Sequence, residues 1–373
     1  MNIIGAPQRY IQGPDALDRF GEVVRYLGRK PLIIADKTVM EIVRPRLEKI
    51  LGEEKLNGVF EQFRGECCRS EIARLVDNCR REACDLVVGL GGGKTSDTAK
   101  AVKYDLGIPV IIAPTVASND SPTSRVIVIY SDEGAFVEVR LLPLNPEVVL
   151  VDSTIIAHAP FRFLAAGVGD ALATKFEAEQ CYSSKGLNFF GARPCQAALV
   201  MADACYRMIR RYGVLAKKAI ESGLLTEAVE QIIEAAVLLS GIGFESGGLA
   251  AAHALNQGFT LIEETHHTLH GENVAFGLWI QFVLENRDRD FMEEILTFYH
   301  EIGLPCTLEG IGLKNLNEED LDIIVKGACR KESYIYNMSA AIDEKKVKDA
   351  ILMADALGRS YGVDSNGRLI RRN

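Results

Sequence analysis

Residues 86–100 read LVVGLGGGKTSDTAK, and this stretch decides the class of fold. Its apolar start predicts a buried strand, and the polar residues after the glycines predict a helix. Glycine lets the backbone turn sharply and brings N–H groups close to a ligand, while the start of a helix carries partial positive charge. The sequence therefore predicts a strand–turn–helix unit that cradles a phosphate group, such as a pyrophosphate.

The glycine turn departs from the two common phosphate-binding patterns. Lys94 occupies the third glycine position of G-x-G-x-x-G, and Val88 occupies the first glycine position of the P-loop pattern. A P-loop ATPase or kinase is therefore a remote alternative, and a glycine-rich turn without a ligand is another. We interpret the motif as a phosphate cradle of a different type.

Strands and helices alternate over the first half of the chain. Helices are predicted in 43–51, 70–82 and 95–106, with Ser70 as the N-cap of the second. Strands are predicted in PLIIAD (31–36), LNGVFEQF (56–63) and IPVIIAPT (108–115). Residues 125–152 are predicted to form a hairpin, which turns at 132–134, followed by a further strand. This alternation predicts a parallel sheet with helices on both faces.

From about Pro160 onward the pattern changes to long helical periods. Helices are predicted in 195–210, 225–242, 273–286 and 344–358. We therefore predict an α/β, Rossmann-like domain over residues 1–159, an all-helical domain over residues 160–373, and an active site in the cleft between them. The polar, basic tail 364–373 is expected to be a frayed end.

Composition excludes several classes of protein. The chain has 373 residues, 48% hydrophobic and 25% charged, which suits two soluble globular domains. A net charge of −9 argues against a nucleic-acid partner. No apolar run approaches the roughly 20 residues that span a bilayer, and the first residues lack the features of a signal peptide. We expect a cytoplasmic protein without a membrane partner, whose nine scattered cysteines are reduced thiols.

Asp36 ends the predicted strand 31–36. An acid at this position commonly binds the two hydroxyls of an adenosine ribose and repels a 2′-phosphate, which favours NAD over NADP. The adjacent Lys37 weakens this preference. An aspartate that only forms the turn is the alternative.

A second set of candidate residues lies in the other half of the chain. Asp170 stands in an apolar helical stretch, where a buried carboxylate needs a partner or a metal. His253 and His270 are 17 positions apart (270 − 253), so they can meet only if two helices pack side by side. One acid and two imidazoles would leave the fourth position of a tetrahedral zinc open, which is the catalytic pattern. Three separately satisfied core residues are the alternative.

Other polar residues flank this set. Ser246 is predicted to cap the helix that follows it. His266 and His267 are expected to lie exposed in a polar turn. Glu272 is either an exposed acid in the first turn of its helix or a partner behind the metal ligands.

Six segments in order resemble the NAD-dependent glycerol dehydrogenases, part of a wider group of metal-dependent alcohol dehydrogenases that also resembles dehydroquinate synthase. They are GLGGGKTSDTAK (89–100), IIAPTVASNDSPTS (111–124), VIYSDEGAF (128–136), LAAGVGDALATKFEA (164–178), GFESGGLAAAHALNQGFT (243–260) and LHGENVAFG (269–277). The resemblance runs over nearly the whole chain. It implies a nucleotide domain, a helical domain and an active site between them.

The resemblance implies metal-dependent, NAD-linked oxidation of glycerol or a related vicinal diol, with dihydroxyacetone as the product from glycerol. It implies NAD and one zinc ion per subunit, with iron less favoured, and Asp170, His253 and His270 as the metal ligands. Asp120 and His270 are the implied catalytic pair, and Asp120 and Phe244 the substrate contacts. The implied NAD contacts are Asp36, Gly91, Gly92, Gly93, Lys94, Asp97, Thr115, Ser118, Ser124, Val126 and Tyr130. Similar enzymes form homo-oligomers, as octamers or smaller even assemblies.

The chain departs from the family pattern at several positions. Thr174 stands where iron-dependent relatives carry a histidine, which leaves three ligands and favours zinc. Asn119 replaces a usual threonine, Arg125 replaces a usual small residue, and YNMSAAI (336–342) lacks a usual proline. Glycerol-1-phosphate dehydrogenase and dehydroquinate synthase are alternatives on the same fold. Their charged substrates need clustered cations, and Arg125 is the only cation near the substrate loop, which favours an uncharged polyol.

Overall fold

A six-stranded parallel sheet lies at the centre of the first half of the chain in the computed structural model, which describes residues 1–363 and 369–371. The strands of this half are β1 (Arg9–Gly13), β2 (Pro31–Ala35), β3 (Val59–Gln62), β4 (Leu86–Gly91), β5 (Val110–Pro114), β6 (Val126–Tyr130), β7 (Phe136–Leu141) and β8 (Val148–Asp152). The order across the sheet is β1-β8-β5-β4-β2-β3, whereas β6 and β7 form a separate antiparallel hairpin. Strands β2, β4, β5 and β8 are buried throughout, as expected between two helical layers.

The α-helices of this half are α1 (Phe20–Leu27), α2 (Lys37–Glu53), α3 (Arg69–Arg81), α4 (Gly93–Leu106) and α5 (Ser153–His158). The predicted strands and helices are confirmed, and β1, α1 and α5 are additional. The prediction that Ser70 caps α3 is wrong. Cys68 is held in an extended conformation beside Tyr130 and takes the N-cap position, while Ser70 lies in the first turn and donates a hydrogen bond to Asp132.

The second half is built from α6 (Phe161–Ser183), α7 (Gln196–Glu221), α8 (Glu227–Glu234), α9 (Ser240–Gly247), α10 (Ala251–Phe259), α11 (His270–Leu284), α12 (Arg289–Ile302), α13 (Glu318–Ala328) and α14 (Glu344–Arg359). A wide π-helical turn, Ala235–Leu239, joins α8 to α9. The four helical stretches predicted for this half are confirmed. The predicted domain boundary between residues 159 and 160 falls between α5 and α6, and it stays a prediction.

A short antiparallel pair ends the described chain, formed by β9 (Tyr361–Val363) and β10 (Leu369–Arg371). The second half is therefore largely rather than entirely helical, and the prediction of a frayed tail is wrong for Leu369–Arg371. Arg371 donates to the hydroxyl of Tyr361, which bonds to Glu293 on α12, so side chains as well as the strand pairing hold this segment. The rest of the predicted tail, 364–368 and 372–373, lies outside the described residues.

Two hydrophobic clusters cover the two faces of the sheet. The smaller cluster lies between the sheet and helices α1 and α2, and it includes the fully buried Phe20 and Leu47. The larger cluster covers the other face and continues without a break into α6, α10 and α11, around Trp279. The larger cluster is therefore a continuous apolar core that the two halves of the chain share.

No single helix within residues 1–363 and 369–371 has the length and apolar composition to span a membrane. The stretch Glu227–Gly247 and the following Ala251–Phe259 meet those criteria only as a pair, with a bend of 100° between them. All nine cysteines are free thiols, as predicted.

Candidate metal and cofactor site

The glycine turn joins β4 to α4 and confirms the predicted strand–turn–helix unit. Gly92 is the N-cap of α4, and no side chain caps the first N–H groups of this helix. The start of α4 can therefore face an anion with its backbone donors and its dipole. A Cβ on Gly93 would lie 2.6 Å from Asn119 Nδ2, so glycine at this position leaves space for the loop that follows β5. Lys94, in the first turn, pairs with Glu66 at 2.5 Å.

Asp36, the glycine turn and Thr115 lie along one edge of the sheet, whereas the remaining predicted cofactor residues lie in the loop after β5 and at the hairpin strand β6. Asp36 follows β2, the glycine turn follows β4, and Thr115 follows β5, and these strands are neighbours. In an open α/β sheet, ligands bind at this carboxyl edge. Asp36 also caps α2 by accepting a hydrogen bond from Val39 N at 2.9 Å. Ser118 lies in the loop after Thr115, and Ser124, Val126 and Tyr130 lie at or next to β6.

Asp97 differs from the rest of this set because both of its carboxylate oxygens are used inside the protein. They accept from Ser121 Oγ at 2.6 Å and from Val128 N at 2.9 Å, and Oδ1 lies 2.8 Å from Lys100 Nζ. Lys100 is fully buried and also donates to the carbonyl of Ser121. This ion pair ties α4 to β6 and to the loop before it.

The three predicted metal ligands come from three neighbouring helices. Asp170 lies on α6, His253 on α10 and His270 at the start of α11. Asp170 Oδ1 is 3.3 Å from His253 Nε2 and 3.4 Å from His270 Nε2, and one ligand atom from each residue lies within 4.8 Å of the others. The prediction that packed helices bring the two histidines together is confirmed. His266 and His267 are exposed in the turn before α11, as predicted.

Glycine allows the helices that carry this trio to approach each other closely. A Cβ on Gly271 of α11 would be 1.8 Å from Ala166 O of α6, and one on Gly277 would be 2.4 Å from Ala252 O of α10. Neither backbone oxygen can move aside without shifting its helix, because protein interiors are close-packed. These glycines therefore set the distance between the helices that carry the three side chains.

The charges in the trio suit a cation. Burial by itself raises the pKa of the Asp170 carboxyl, but the electrostatic interactions with the neighbouring His270 and His253 outweigh burial and hold this pKa below its usual range. Asp170 Oδ1 is buried and has no hydrogen-bond partner among the described residues. A buried, ionised oxygen that faces two imidazole nitrogens is costly without a cation. One carboxylate and two imidazoles form a donor set that zinc accepts, so the residues fit a metal.

Glu177 is a further functional candidate, absent from the residues predicted from sequence. It is fully buried and lies seven residues after Asp170, on the same face of α6. Its Oε2 is 2.5 Å from His253 Nδ1, and its Oε1 accepts from the N–H groups of Ala250 and His253 at 2.9 and 3.0 Å. Burial lowers the pKa of His253, but the negative charges of Glu177 and Asp170 raise it overall. The only signal in the sequence is an acid at helical spacing from Asp170.

Two predictions about neighbouring polar residues are now settled. Ser246 does not cap α10, because α9 continues through Gly247 and the chain then turns at Gly248, with φ of 86°, before α10 begins. Glu272 is an acid in the first turn of α11 that pairs with Arg162 at 2.7 Å. It lies in the first turn as predicted, but only 13% of its side chain is exposed, so the expectation that it is exposed is wrong. The acid that contacts one of the three candidate ligands from behind is Glu177.

Of the substrate residues implied by the resemblance, Asp120 lies beside the three ligands. Asp120 is buried in the loop between β5 and β6, and its N–H donates to Asp170 Oδ2 at 3.3 Å. Burial and the charge of Asp170 raise the pKa of the Asp120 carboxyl. Ser240 donates to Asp120 Oδ2 at 2.7 Å, and the hydroxyl of Thr174 lies 2.8 Å from that of Ser240. Phe244 is buried on α9.

One loop, residues 115–124, connects the two parts of the site. On one side, Asn119 lies against Gly93 of the glycine turn. On the other side, Ala117 O lies against Gly167 of α6, where a Cβ would be only 1.9 Å away. This loop therefore links the glycine turn to the Asp170, His253 and His270 cluster at the junction of the two halves of the chain.

Known proteins share both the sequence and the fold. Residues 7–153 match the family model of the iron-containing alcohol dehydrogenases. The chain is 43% identical to a glycerol dehydrogenase of Citrobacter freundii, over 97% of this chain and 99% of that protein. It is 40% identical to a glycolaldehyde reductase of Halobacterium salinarum, over 96% and 98%. The crystal structure of a probable glycerol dehydrogenase from Sinorhizobium meliloti matches with a TM-score of 0.91 and 42% identity, over 96% and 100%. The chain therefore belongs to the glycerol dehydrogenase group of the iron-containing alcohol dehydrogenase family.

Proposed function

We propose that this protein is an NAD-linked, metal-dependent dehydrogenase that oxidises glycerol to dihydroxyacetone. One observation carries the proposal. Asp170 Oδ1, unpartnered among the described residues, faces two imidazole nitrogens beside the loop that borders the glycine turn. The similarity to glycerol dehydrogenases over almost the whole chain supports an oxidoreductase that acts on small polyols.

Asp170, His253 and His270 would hold one divalent ion per subunit. Three protein ligands leave one position of a tetrahedral ion open. Thr174 stands where the iron-dependent relatives carry histidine, and its hydroxyl bonds to Ser240, so we propose zinc rather than iron. Bound there, the ion supplies Lewis-acid chemistry that lowers the pKa of an alcohol.

The predicted cofactor residues would divide the parts of NAD among them. The backbone of residues 91–94 would bind the pyrophosphate, and Asp36 would bind the adenosine ribose. The nicotinamide side would be lined by Thr115, Ser118, Ser124, Val126 and Tyr130. Bound NAD accepts the hydride, while the protein supplies orientation and electrostatics. Asp97 would support this set indirectly, because its carboxylate holds the loop before β6 and β6 itself.

Asp120 and Phe244 would position the substrate. Ser240 holds the Asp120 carboxyl beside the ligand trio, where it can bond to a distal hydroxyl of a polyol. Phe244 packs edge-on against Phe189, with ring centres 5.4 Å apart, and forms an apolar wall. The side chain of His270 is 41% exposed, more than the other two ligands. We propose it as the second member of the catalytic pair because it is the member of the trio most open to solvent.

The substrate would be uncharged. Arg125 is the only cation in the segment 115–125. Its guanidinium donates to the carbonyls of Leu142 and Phe189, and its backbone N–H donates to Glu245. Because this cation is already engaged, a phosphate or carboxylate would lack the cluster of donors that it needs. This favours glycerol over the substrates of glycerol-1-phosphate dehydrogenase and dehydroquinate synthase.

We further propose a cytoplasmic homo-oligomer with an even number of subunits. Nine free thiols suit a reducing compartment. Strand β7 exposes four apolar side chains, which are Phe136, Val137, Val139 and Leu141. Exposed apolar strands of this kind are normally covered by a partner. Light scattering after size-exclusion chromatography would give the mass, and a monomer at micromolar concentration would contradict the assembly.

One assay tests the proposed function. The purified protein is analysed for metal and then assayed for NAD⁺ reduction with glycerol, 1,2-propanediol, 2,3-butanediol and glycerol 1-phosphate. We expect bound zinc and turnover of the diols but not of the phosphate ester. Reduction of glycolaldehyde by NADH, measured in parallel, separates glycerol oxidation from the activity in the name of the Halobacterium relative. Full turnover by metal-free protein, or no turnover of any diol, would refute the proposal.

Asp36→Gly is expected to shift cofactor preference toward NADP. Without the carboxylate, the pocket no longer repels the 2′-phosphate of NADP. Each ~1.4 kcal/mol by which binding of NADP improves relative to NAD raises the ratio of kcat/KM for NADP to kcat/KM for NAD tenfold. The helix α2 also loses its cap, so Asp288→Gly, which removes the equivalent cap of α12, is the matched control. An unchanged ratio in Asp36→Gly would show that Asp36 does not contact the ribose.

A further inference from the structure

Glu177 lies outside the ligand trio, and the proposed reaction gives it no task. We propose that Glu177 is a positioning residue that fixes the tautomer and orientation of His253, so that the zinc affinity of the site depends on it. The role rests on the proposed metal site. It follows from the atoms that Glu177 contacts and from the hydrogen bonds that a carboxylate can accept at those positions.

The contact at the imidazole determines the tautomer. Glu177 Oε1 accepts from the backbone N–H groups of Ala250 and His253. A carboxylate accepts hydrogen bonds and cannot donate them, so in the proposed arrangement His253 Nδ1, 2.5 Å from Glu177 Oε2, is the donor in this contact. The lone pair then falls on Nε2, which lies 3.3 Å from Asp170 Oδ1 and faces the ion position. A carboxylate behind a metal-binding imidazole orients the ring and raises its basicity.

The same carboxylate also holds the start of α10. Its Oε1 accepts from the N–H groups of Ala250 and His253, and the N-cap Ala250 has no side chain that can do this. The two oxygens therefore have separate tasks. Oε1 fixes the beginning of the helix, and Oε2 fixes the ring that the helix carries. These three contacts offset much of the cost of burying the polar group.

His270 is held less firmly than His253. Asn256 Nδ2 is 3.3 Å from His270 Nδ1. An amide can present either its oxygen or its nitrogen, so it imposes no single tautomer on the ring. Of these two histidines, therefore, only His253 has a described partner that allows a single tautomer.

Glu177→Gln separates the two tasks of the carboxylate. With its oxygen on the backbone N–H groups, glutamine keeps the cap and presents its NH₂ group to His253 Nδ1. The ring must then accept at Nδ1 and carry its proton on Nε2, the atom that zinc needs. We expect the zinc Kd, measured by competition with a chelator, to rise about 10–100-fold, while the melting temperature of the metal-free protein changes little. Glu179→Gln is the matched control, because Glu179 is half-buried, pairs with Lys175 on the same helix and contacts none of the three candidate ligands in the described contacts.

A folded Glu177→Gln protein with wild-type zinc affinity would overturn the inference. If the variant does not fold, ¹⁵N NMR of the zinc-loaded wild-type protein decides the question. A proton on His253 Nδ1 supports the role of Glu177, and an unprotonated Nδ1 contradicts it. The proposed function fails independently, since a protein whose zinc affinity depends on Glu177 but which oxidises no polyol would refute only the function.

Discussion

Replacing His253 by alanine is expected to remove the bound metal and to lower kcat/KM for glycerol by about three orders of magnitude or more. His253 supplies one of the three side chains of the site, and its Nε2 lies 3.3 Å from Asp170 Oδ1. Loss of an ion that stabilises the transition state by several kcal/mol has this effect, because each ~1.4 kcal/mol changes the rate tenfold. Zinc content by plasma emission spectrometry and steady-state kinetics with glycerol measure both changes.

His158→Ala is the matched control for this substitution, because His158 is exposed at the end of α5. Its zinc content and its kcat/KM should equal those of the wild-type protein. Circular dichroism of both variants should show unchanged helical content, since the helices pack through their apolar residues. Wild-type turnover by a zinc-free His253→Ala protein would refute the proposed mechanism.

A methyl group on Gly271 is expected to destabilise the protein and to weaken zinc binding at the same time. The new Cβ would be 1.8 Å from Ala166 O, so α11 must move away from α6. Overpacking of this kind costs about 1–3 kcal/mol of unfolding free energy, and more where the backbone has to shift. The movement also separates His270 from Asp170, because these ligands lie on the two helices concerned. The thermal unfolding midpoint and the zinc Kd of Gly271→Ala measure the two effects.

Gly52→Ala is the control, and its expected effect on stability is opposite in sign. Gly52 lies in α2, and apart from the adjoining residues and the backbone of its own helix, no atom of the described residues lies within 4 Å of a Cβ added there. Alanine favours a helix over glycine by about 0.5–1 kcal/mol, so the midpoint of this variant should stay the same or rise. A Gly271→Ala protein with wild-type midpoint and zinc affinity would show that this glycine does not set the helix spacing.

Hydrophobic periodicity predicted most of the fold, and its failures have physical causes. Strands β2, β4, β5 and β8 are apolar runs because they are buried on both faces. Strand β1, RYIQG, is short and mixed in polarity because it lies at the edge of the sheet. Ser70 and Ser246 were assigned as caps from residue type alone. The actual helix starts depend on tertiary contacts, namely the bridge at Cys68 and the carboxylate of Glu177.

The residue types of the site could be predicted from sequence, but their supporting contacts could not. Spacing alone leaves it open whether Asp170, His253 and His270 meet, and the close helix packing that unites them depends on contacts between distant parts of the chain, such as Gly271 with Ala166. Glu177 has no local signature, because its partners Ala250 and His253 lie 73 and 76 positions away. Long-range partners of this kind appear only in the folded chain.

The central claim is that three side chains of the helical half hold a cation beside a dinucleotide held by the sheet. A crystal structure with zinc and NAD⁺, with anomalous data collected at the zinc edge, tests it most directly. We predict one strong anomalous peak in contact with Asp170, His253 and His270, and a nicotinamide ring next to the loop 115–124. Zinc bound elsewhere in the protein, or a dinucleotide bound away from the glycine turn, would contradict the claim.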